Sequence, residues 1–220
     1  MQEQKVNYQK KLEETITKEQ KEGRVPTLLL HSCCAPCSSY VLEYLSNFFR
    51  ITVLYYNPNI SPAKEYEARV AEQERLIAEL PVKYPVSFLA GDYHPEEFYA
   101  AVKGLEDCPE GGDRCTVCYE MRLREAAEAA KSDGFDYFTT TLSISPLKDA
   151  KRLNSIGEVL AAEYGVSYLY SDFKKKNGYK RSTELSAQYG LYRQDYCGCV
   201  FSKEEQAKRR AAQAESNFAG

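Results

Sequence analysis

Residues 27–37 have the sequence TLLLHSCCAPC, a short apolar run followed directly by three cysteines and a proline. Similar short runs of apolar and β-branched residues recur along the chain and alternate with longer segments of helical periodicity. This alternation is typical of a parallel sheet covered by helices, so we predict an α/β fold. The predicted strands are residues 27–31, 51–56, 86–89, 135–140 and 166–170. The predicted helices are residues 38–49, 62–80, 95–102, 116–132, 147–164 and 202–216.

Length and composition indicate the domain organisation. A chain of 220 residues with 43% apolar residues is long enough for one buried core. We predict a single domain over residues 25–220, preceded by a peripheral helical extension over residues 1–24. The extension lacks the apolar core of a signal peptide, and no window has the apolar length that a membrane span needs. These features predict a cytoplasmic protein without a membrane partner.

The sequence motifs follow the predicted strands. In open α/β sheets, ligands bind beyond the carboxyl ends of the strands, where loops enter helices. The first cysteines follow strand one, the segment NPNISP (57–62) follows strand two, and the segment TTTLSISP (139–146) ends strand four. Asp92 and Asp172 follow strands three and five. We therefore predict one active-site face at this edge of the sheet.

Eight cysteines fall into three clusters. In a reducing compartment structural disulfides are uncommon, so the clustering favours metal ligation or redox chemistry. The clusters are Cys33, Cys34 and Cys37; Cys108, Cys115 and Cys118; and Cys197 and Cys199.

The first two clusters can supply four thiolates to one centre. Adjacent residues such as Cys33 and Cys34 point at one centre only from irregular backbone, for example a strand-to-helix turn. Cys115 and Cys118 open a predicted helix, where a three-residue spacing places both sulfurs on one face. Four thiolates suit either structural zinc or a [4Fe–4S] cluster, and reduced thiols without a metal are a third alternative. An adjacent cysteine pair at a ligand-binding crevice is unusual for structural zinc and favours the cluster.

The remaining cysteines allow two interpretations each. A disulfide within Cys197-Gly198-Cys199 would be strained and easily reduced, which favours a redox pair over additional metal ligation. Cys37 and Cys108 are either ligands of a second metal or small, partly buried residues. His31, at the end of a predicted buried strand, is expected to give hydrogen-bond support rather than to bind metal.

A basic segment and the start of the last helix complete the motifs. The formal net charge of −3 means that any RNA partner must be held by local patches. Residues 173–182 form a basic segment. Basic segments are usually solvated surface, but this one follows predicted strand five, so its cations are candidates for RNA binding. They are Lys174, Lys175, Lys176, Lys180 and Arg181. The cations at residues 208–210 are expected to be solvated, and residues 202–205 (SKEE) predict a capping box.

Several of these motifs resemble one known family. They are HSCCAPC (31–37), YNPNI (56–60), RCTVCY (114–119), FTTTLSISP (138–146), DFKK (172–175) and GLYRQDYCGC (190–199). Together they resemble the cobalamin-independent epoxyqueuosine reductases of the QueH type over about residues 27–202.

The resemblance implies a Rossmann-like fold of the nucleotide α-hydrolase-like (HUP) group. It also implies reduction of epoxyqueuosine to queuosine at the wobble position of tRNA, the last step of queuosine biosynthesis, with electrons from a donor that the sequence does not name. The implied cofactors are a [4Fe–4S] cluster and a nearby mononuclear iron. The implied cluster ligands are Cys33, Cys34, Cys115 and Cys118, and the implied redox-active pair is Cys197 and Cys199. Cys37, Cys108 and Asp113 are candidates for the second iron from their local chemistry alone.

Two other functions are weighed against this one. An ATP-dependent, iron–sulfur tRNA-thiolating enzyme would need a glycine-rich phosphate loop after strand one, where residues 33–37 contain no glycine. A zinc-stabilised RNA-binding module would be colourless and contain zinc instead of iron.

Overall fold

The computed structural model describes residues 6–218 of the chain. The first half contains α1 (Tyr8–Lys21), β1 (Thr27–His31), α2 (Ala35–Leu45), β2 (Arg50–Tyr55), α3 (Ala63–Glu79), β3 (Val86–Ala90) and α4 (Pro95–Ala101). The second half contains α5 (Asp113–Ser132), β4 (Tyr137–Thr140), a 3₁₀ helix (Thr141–Ile144), α6 (Ala150–Tyr164), β5 (Ser167–Tyr168), α7 (Gly178–Gln188) and α8 (Val200–Phe218).

The five strands form one parallel sheet in the order β3-β2-β1-β4-β5. This is the Rossmann order, and it confirms the predicted α/β class. β1 lies at the centre, with Leu28 opposite Ile51 of β2 and opposite Tyr137 of β4. A central parallel strand is covered on both faces, which explains why β1 is an unbroken apolar run.

Each face of the sheet has its own core because successive side chains of a strand point to opposite faces. Leu28 and Leu30 pack in one core, and Leu29 packs in the other. Leu12 and Ile16 of α1 are buried in the first core, so this helix is attached to the sheet by apolar contacts. Residues 1–5 of the predicted extension and residues 219–220 of the predicted domain lie outside the described residues.

The structure corrects three sequence predictions. The sequence predicts no helix between residues 165 and 201, whereas Gly178–Gln188 form α7, which packs on α2. The predicted capping box at residues 202–205 is wrong, since α8 begins at Val200 and the Ser202 N–H donates to Cys199 Sγ at 3.4 Å. Strand five is shorter than predicted, ending at Tyr168, although the Leu169 N–H still donates to the Phe138 carbonyl.

Among the described residues, no helix combines the length and the apolar character needed to cross a membrane.

A thiol-lined candidate active site

Three thiols meet where β1 enters α2. Cys34 has extended backbone at the N-cap position, Pro36 occupies the first turn, and Cys37 follows within that turn. The sulfurs of Cys33, Cys34 and Cys37 all lie within 4.8 Å of one another, and those of Cys33 and Cys34 are 3.9 Å apart. One tetrahedral metal ion with metal–sulfur bonds of about 2.3 Å places its sulfurs about 3.8 Å apart. This thiol triad can therefore hold a metal ion, and its soft sulfur donors suit iron or zinc.

The thiol triad shares its negative charge unevenly. Hydrogen bonds from Cys34 and Cys37 hold the pKa of Cys33 well below its usual value. The hydrogen bond to Cys33 raises the pKa of Cys34 to about 12, and the same interaction raises the pKa of Cys37. Cys33 is thus the thiol of the three that loses its proton most easily, which suits it to bind a cation.

Four further thiols line a small cavity next to the cleft. Cys115 and Cys118 come from the first turns of α5, and Cys197 and Cys199 come from the loop before α8. The cavity measures about 10 Å³, which is about the room that one water molecule needs. Burial raises the pKa of Cys118 to about 11 and that of Cys199 to about 12, so both are protonated thiols in the absence of a metal.

Three polar residues with unpartnered atoms line the same cavity. Within residues 6–218, Asn59 has no hydrogen-bond partner for either amide atom, Arg114 has none for Nε, and Arg122 has none for Nη2. All three residues are at most 3% exposed. Buried polar groups of this kind are normally paired, so the cavity offers hydrogen-bond donors to a group with acceptor atoms. Thiols and free donors are the kinds of groups that surround iron–sulfur clusters, but the cavity between them has room for about one water molecule.

Arg122 connects the two groups of thiols. Its Nε donates to the Cys118 carbonyl at 3.0 Å, and its Nη1 lies 3.5 Å from Asn57 Oδ1. Burial opposes the charge of this guanidinium, but the neighbouring Cys118, Cys197 and Cys33 raise its pKa. Arg122 therefore remains a buried cation in the field of both thiol groups.

The loop that carries Cys197 and Cys199 is fixed by backbone hydrogen bonds. The Cys197 N–H donates to Ser202 Oγ at 2.9 Å, and the Cys197 carbonyl accepts from Arg69 Nη1 at 3.3 Å. The Gly198 carbonyl accepts from the Ser61 N–H at 3.0 Å. Both cysteines are free thiols, with Cys197 half-buried and Cys199 buried.

The thiol triad and Cys197 open onto a cleft of about 480 Å³. This volume is typical of small-molecule sites. Lys148 and Arg69 also line the cleft, and Tyr179 and Arg193 line its exposed part. A nucleoside-sized group can therefore reach the thiols from solvent.

Comparison with known proteins identifies the family. The family model described as "Epoxyqueuosine reductase QueH" matches residues 28–205. The chain belongs to the QueH family. As an epoxyqueuosine reductase of this family, it is an oxidoreductase.

Curated relatives agree over most of the chain. "Epoxyqueuosine reductase QueH" of Streptococcus pyogenes serotype M1 is 45% identical over 205 residues, covering 92% of this chain and 80% of the relative. The Staphylococcus epidermidis protein of the same name is 44% identical over 210 residues, covering 94% and 88%. The Thermotoga maritima protein of that name is 35% identical over 191 residues, covering 84% and 94%. Among solved structures, an NAD+ synthetase from Burkholderia pseudomallei covers 98% of this chain at 11% identity, but its TM-score of 0.25 supports no argument.

In this QueH chain the predicted cluster ligands lie in both thiol groups. Cys33 and Cys34 belong to the thiol triad together with Cys37, and Cys115 and Cys118 lie in the cavity with the predicted redox pair. Cys108 and Asp113, the other candidates for a second iron, line neither the cleft nor the cavity. All of these ligand assignments stay predictions.

His31 is buried, and both of its ring nitrogens are engaged. Nδ1 lies 2.9 Å from Thr140 Oγ1, and Nε2 lies 3.1 Å from the Tyr56 carbonyl. Burial, followed by the charge of Arg122, lowers its pKa to about 3. A neutral His31 donates from Nε2 to the carbonyl and accepts at Nδ1, which agrees with the predicted supporting role.

Three of the five cations predicted to bind RNA already have acidic partners. Lys174 pairs with Asp172 at 3.0 Å. Lys176 pairs with Glu13, and Arg181 pairs with Glu43. Lys175 and Lys180 are exposed. RNA binding by this segment stays a prediction.

Sequence reasoning missed several residues of the site, namely Asn59, Arg69, Arg122 and Lys148. Only two of them had a signal in the sequence. Asn59 lies in a motif already noted after strand two, and Arg122 follows Cys118 by one helical turn.

Proposed function

We propose that this QueH chain reduces epoxyqueuosine to queuosine at the wobble position of tRNA, as the last step of queuosine biosynthesis. The convergence of seven of the eight cysteines on the cleft and its adjoining cavity is the observation that carries the proposal. The family match supports the reaction type, and the volume of the cleft supports entry of an extruded nucleoside.

The reaction needs two electrons and two protons. The epoxide loses its oxygen, both C–O bonds break, a C=C bond forms, and the oxygen leaves as water. Oxidation of two thiols to a disulfide releases two electrons and two protons, which matches this demand. Cys197 and Cys199 are adjacent enough to form such a pair, and Cys197 lines the cleft. We assign them the redox role, either in relaying the electrons or in protecting the centre when oxidised.

The proposed cofactors are a [4Fe–4S] cluster on Cys33, Cys34, Cys115 and Cys118 and an additional iron nearby. Such a group supplies single electrons at low potential, and an iron with an open position supplies Lewis acidity. The three sulfurs of the thiol triad and the four thiols that line the neighbouring cavity support sulfur ligation of a metal centre. Among the candidates for the additional iron, the position of Cys37 beside Cys33 and Cys34 favours Cys37 over Cys108 and Asp113.

The two alternative functions have less support. The turn before α2 is poorly suited to bind a phosphate. Pro36 has no N–H to donate, and without a glycine the backbone cannot wrap closely around a phosphate group. The 3.9 Å sulfur spacing in the thiol triad also suits a single zinc, so a zinc-stabilised RNA-binding module is the second candidate. Zinc has no redox chemistry of its own, so a zinc site would leave only the thiol pair to supply electrons.

The test is a reduction assay under anaerobic conditions. Iron- and sulfide-loaded protein is incubated with tRNA that carries epoxyqueuosine and with a low-potential reductant, and nucleosides are then analysed by mass spectrometry. We expect conversion to queuosine by the wild type and a loss of at least 100-fold for Cys197→Ser or Cys199→Ser. Full turnover by either variant with a physiological reductant would remove the pair from the mechanism.

A further inference from the structure

Lys148 is one of the cations that line the cleft. It lies in the loop between the 3₁₀ helix and α6 and is half-buried. It lines the cleft together with Cys33, Cys37 and Cys197. Across residues 6–218, no hydrogen bond or ion pair joins its ammonium group to a carboxylate.

The backbone of Lys148 is held firmly. Its N–H donates to the Ser145 carbonyl at 3.2 Å, and its carbonyl accepts from Lys174 Nζ at 3.3 Å. Lys174 Nζ also donates to the Ser143 carbonyl at 2.9 Å and pairs with Asp172. The loop therefore fixes the position from which the Lys148 side chain enters the cleft.

Sulfur and phenol groups dominate the surroundings of the Lys148 ammonium. Burial opposes its charge, whereas Cys197, Cys33, Tyr119 and Cys37 raise its pKa. A lysine removed from water normally has a carboxylate partner, because an unpaired buried charge is costly. Lys148 is half-buried and lines the same cleft as Cys33, Cys37 and Cys197, where we propose that the reduction occurs; Glu110 and Asp195 also line this cleft, but neither forms an ion pair with Lys148 among residues 6–218.

The other cations that line the cleft have ion-pair or hydrogen-bond partners of their own. Arg69 pairs with Glu65 at 2.8 Å and also holds the Cys197 carbonyl. Arg209 is exposed and pairs with Glu205. Arg193 is exposed and donates to Ser186 Oγ at 3.2 Å. Lys148 is therefore the cation best placed for a negative charge that develops beside the thiols.

We propose that Lys148 is a catalytic residue whose ammonium group binds the epoxide oxygen of the substrate. This inference rests on the proposed function. As two electrons from the reductant enter the substrate and the first C–O bond breaks, the oxygen becomes negatively charged, and Lys148 stabilises that charge by a charge-assisted hydrogen bond. Two protons and cleavage of the second C–O bond complete the release of water and the formation of the alkene.

The first test compares turnover of Lys148→Met, Lys148→Arg and a control, Lys131→Met. Lys131 is an exposed lysine in the last turn of α5. Removal of one donor to a developing oxyanion costs about 10²- to 10³-fold in kcat. We expect a loss of about that size in Lys148→Met, partial activity in Lys148→Arg, and wild-type activity in the control. Circular dichroism, iron content and the visible spectrum should match the wild type in every variant.

The second test measures binding without turnover. Affinity is measured, with the reductant omitted, for one anticodon stem-loop RNA that carries epoxyqueuosine and for the same RNA that carries queuosine, which lacks the epoxide oxygen. We expect the wild type to prefer the epoxide form and Lys148→Met to lose most of that preference.

Three outcomes would overturn this inference, and a fourth would refute the proposed function. Lys148→Met with kcat within twofold of the wild type would overturn the inference, as would an unchanged preference for the epoxide RNA. Loss of iron or of the visible spectrum in Lys148→Met would also overturn it, because Lys148 would then support the metal centre instead of the substrate. A wild type that fails to reduce epoxyqueuosine would instead refute the proposed function.

Discussion

At the residue scale, Gly198 determines how closely the loop with Cys197 and Cys199 packs against Ile60 and Arg69. Its φ of +125° is a conformation that residues with a side chain rarely adopt. A Cβ at this position would lie 2.9 Å from Ile60 Cγ1 and 3.2 Å from Arg69 Nη1. The missing side chain thus permits the contacts that hold both thiols at the cavity.

We predict that Gly198→Ala lowers the free energy of unfolding by about 3 kcal/mol. This loss is the sum of two costs, the backbone strain of a side chain at positive φ and the overpacking of its Cβ. The matched control is Gly190→Ala in the same loop, where φ is +55° but a Cβ would meet nothing within 4 Å. That variant should lose only about 1 kcal/mol. Chemical denaturation measures both values, and equal losses in the two variants would contradict the packing argument.

Single residues were predictable from the sequence only where their spacing carried chemistry. The clusters around Cys33, Cys115 and Cys197 were visible because sulfur ligands and redox pairs need short, regular spacings. Lys148 was not visible, since one lysine in a charged sequence has no distinguishing context. Its proposed importance comes from its position in the cleft with Cys33, Cys37 and Cys197, which are distant from it in sequence.

At the element scale, α7 shows how packing overrides a local pattern. Residues 173–182 contain five cations, and their sequence pattern predicts no helix. In the structure Asn177, with φ of 63°, precedes a helix that buries Ser182 and Leu185 against the core. Arg181 of that helix pairs with Glu43 of α2 at 2.6 Å. The contacts with α2 are distant in sequence, so the local pattern could not reveal the helix.

For Gly178, the first residue of α7, substitution by alanine has two opposite effects on stability: helix propensity favours it and packing opposes it. Alanine is favoured over glycine within a helix by about 1 kcal/mol. A Cβ on Gly178, however, would overlap the Phe173 carbonyl oxygen and the ring of Tyr40. We therefore expect Gly178→Ala to destabilise the protein by about 3 kcal/mol.

The control for Gly178→Ala lies on the exposed face of the same helix. Ala187→Gly meets no packing constraint and should cost about 1 kcal/mol through helix propensity alone. Thermal and urea unfolding of both variants measure the two effects. A stability gain in Gly178→Ala would mean that α7 does not pack on α2 as described.

At the scale of the whole molecule, the parallel sheet brings distant thiols together. The alternation of strands and helices was sufficient to predict the sheet, but of the motifs predicted to meet at its edge, Asp92 and Asp172 line neither the cleft nor the cavity. The alternation was not sufficient to predict which cysteines become neighbours. Cys115 and Cys118 share a cavity with Cys197 and Cys199, whereas Cys108, close to them in sequence, lies outside it. That arrangement depends on the position of α8 against α5, which no local spacing encodes.

The most direct test of the account is the metal content of anaerobically prepared protein after loading with iron and sulfide. We predict bound iron and acid-labile sulfide in the same preparation, with a brown colour that Cys33→Ser and Cys118→Ser both abolish. The two substitutions come from the two thiol groups, so a joint effect would show that both groups hold one iron-containing centre. Protein that contains only zinc, or no metal, after this loading would contradict the account.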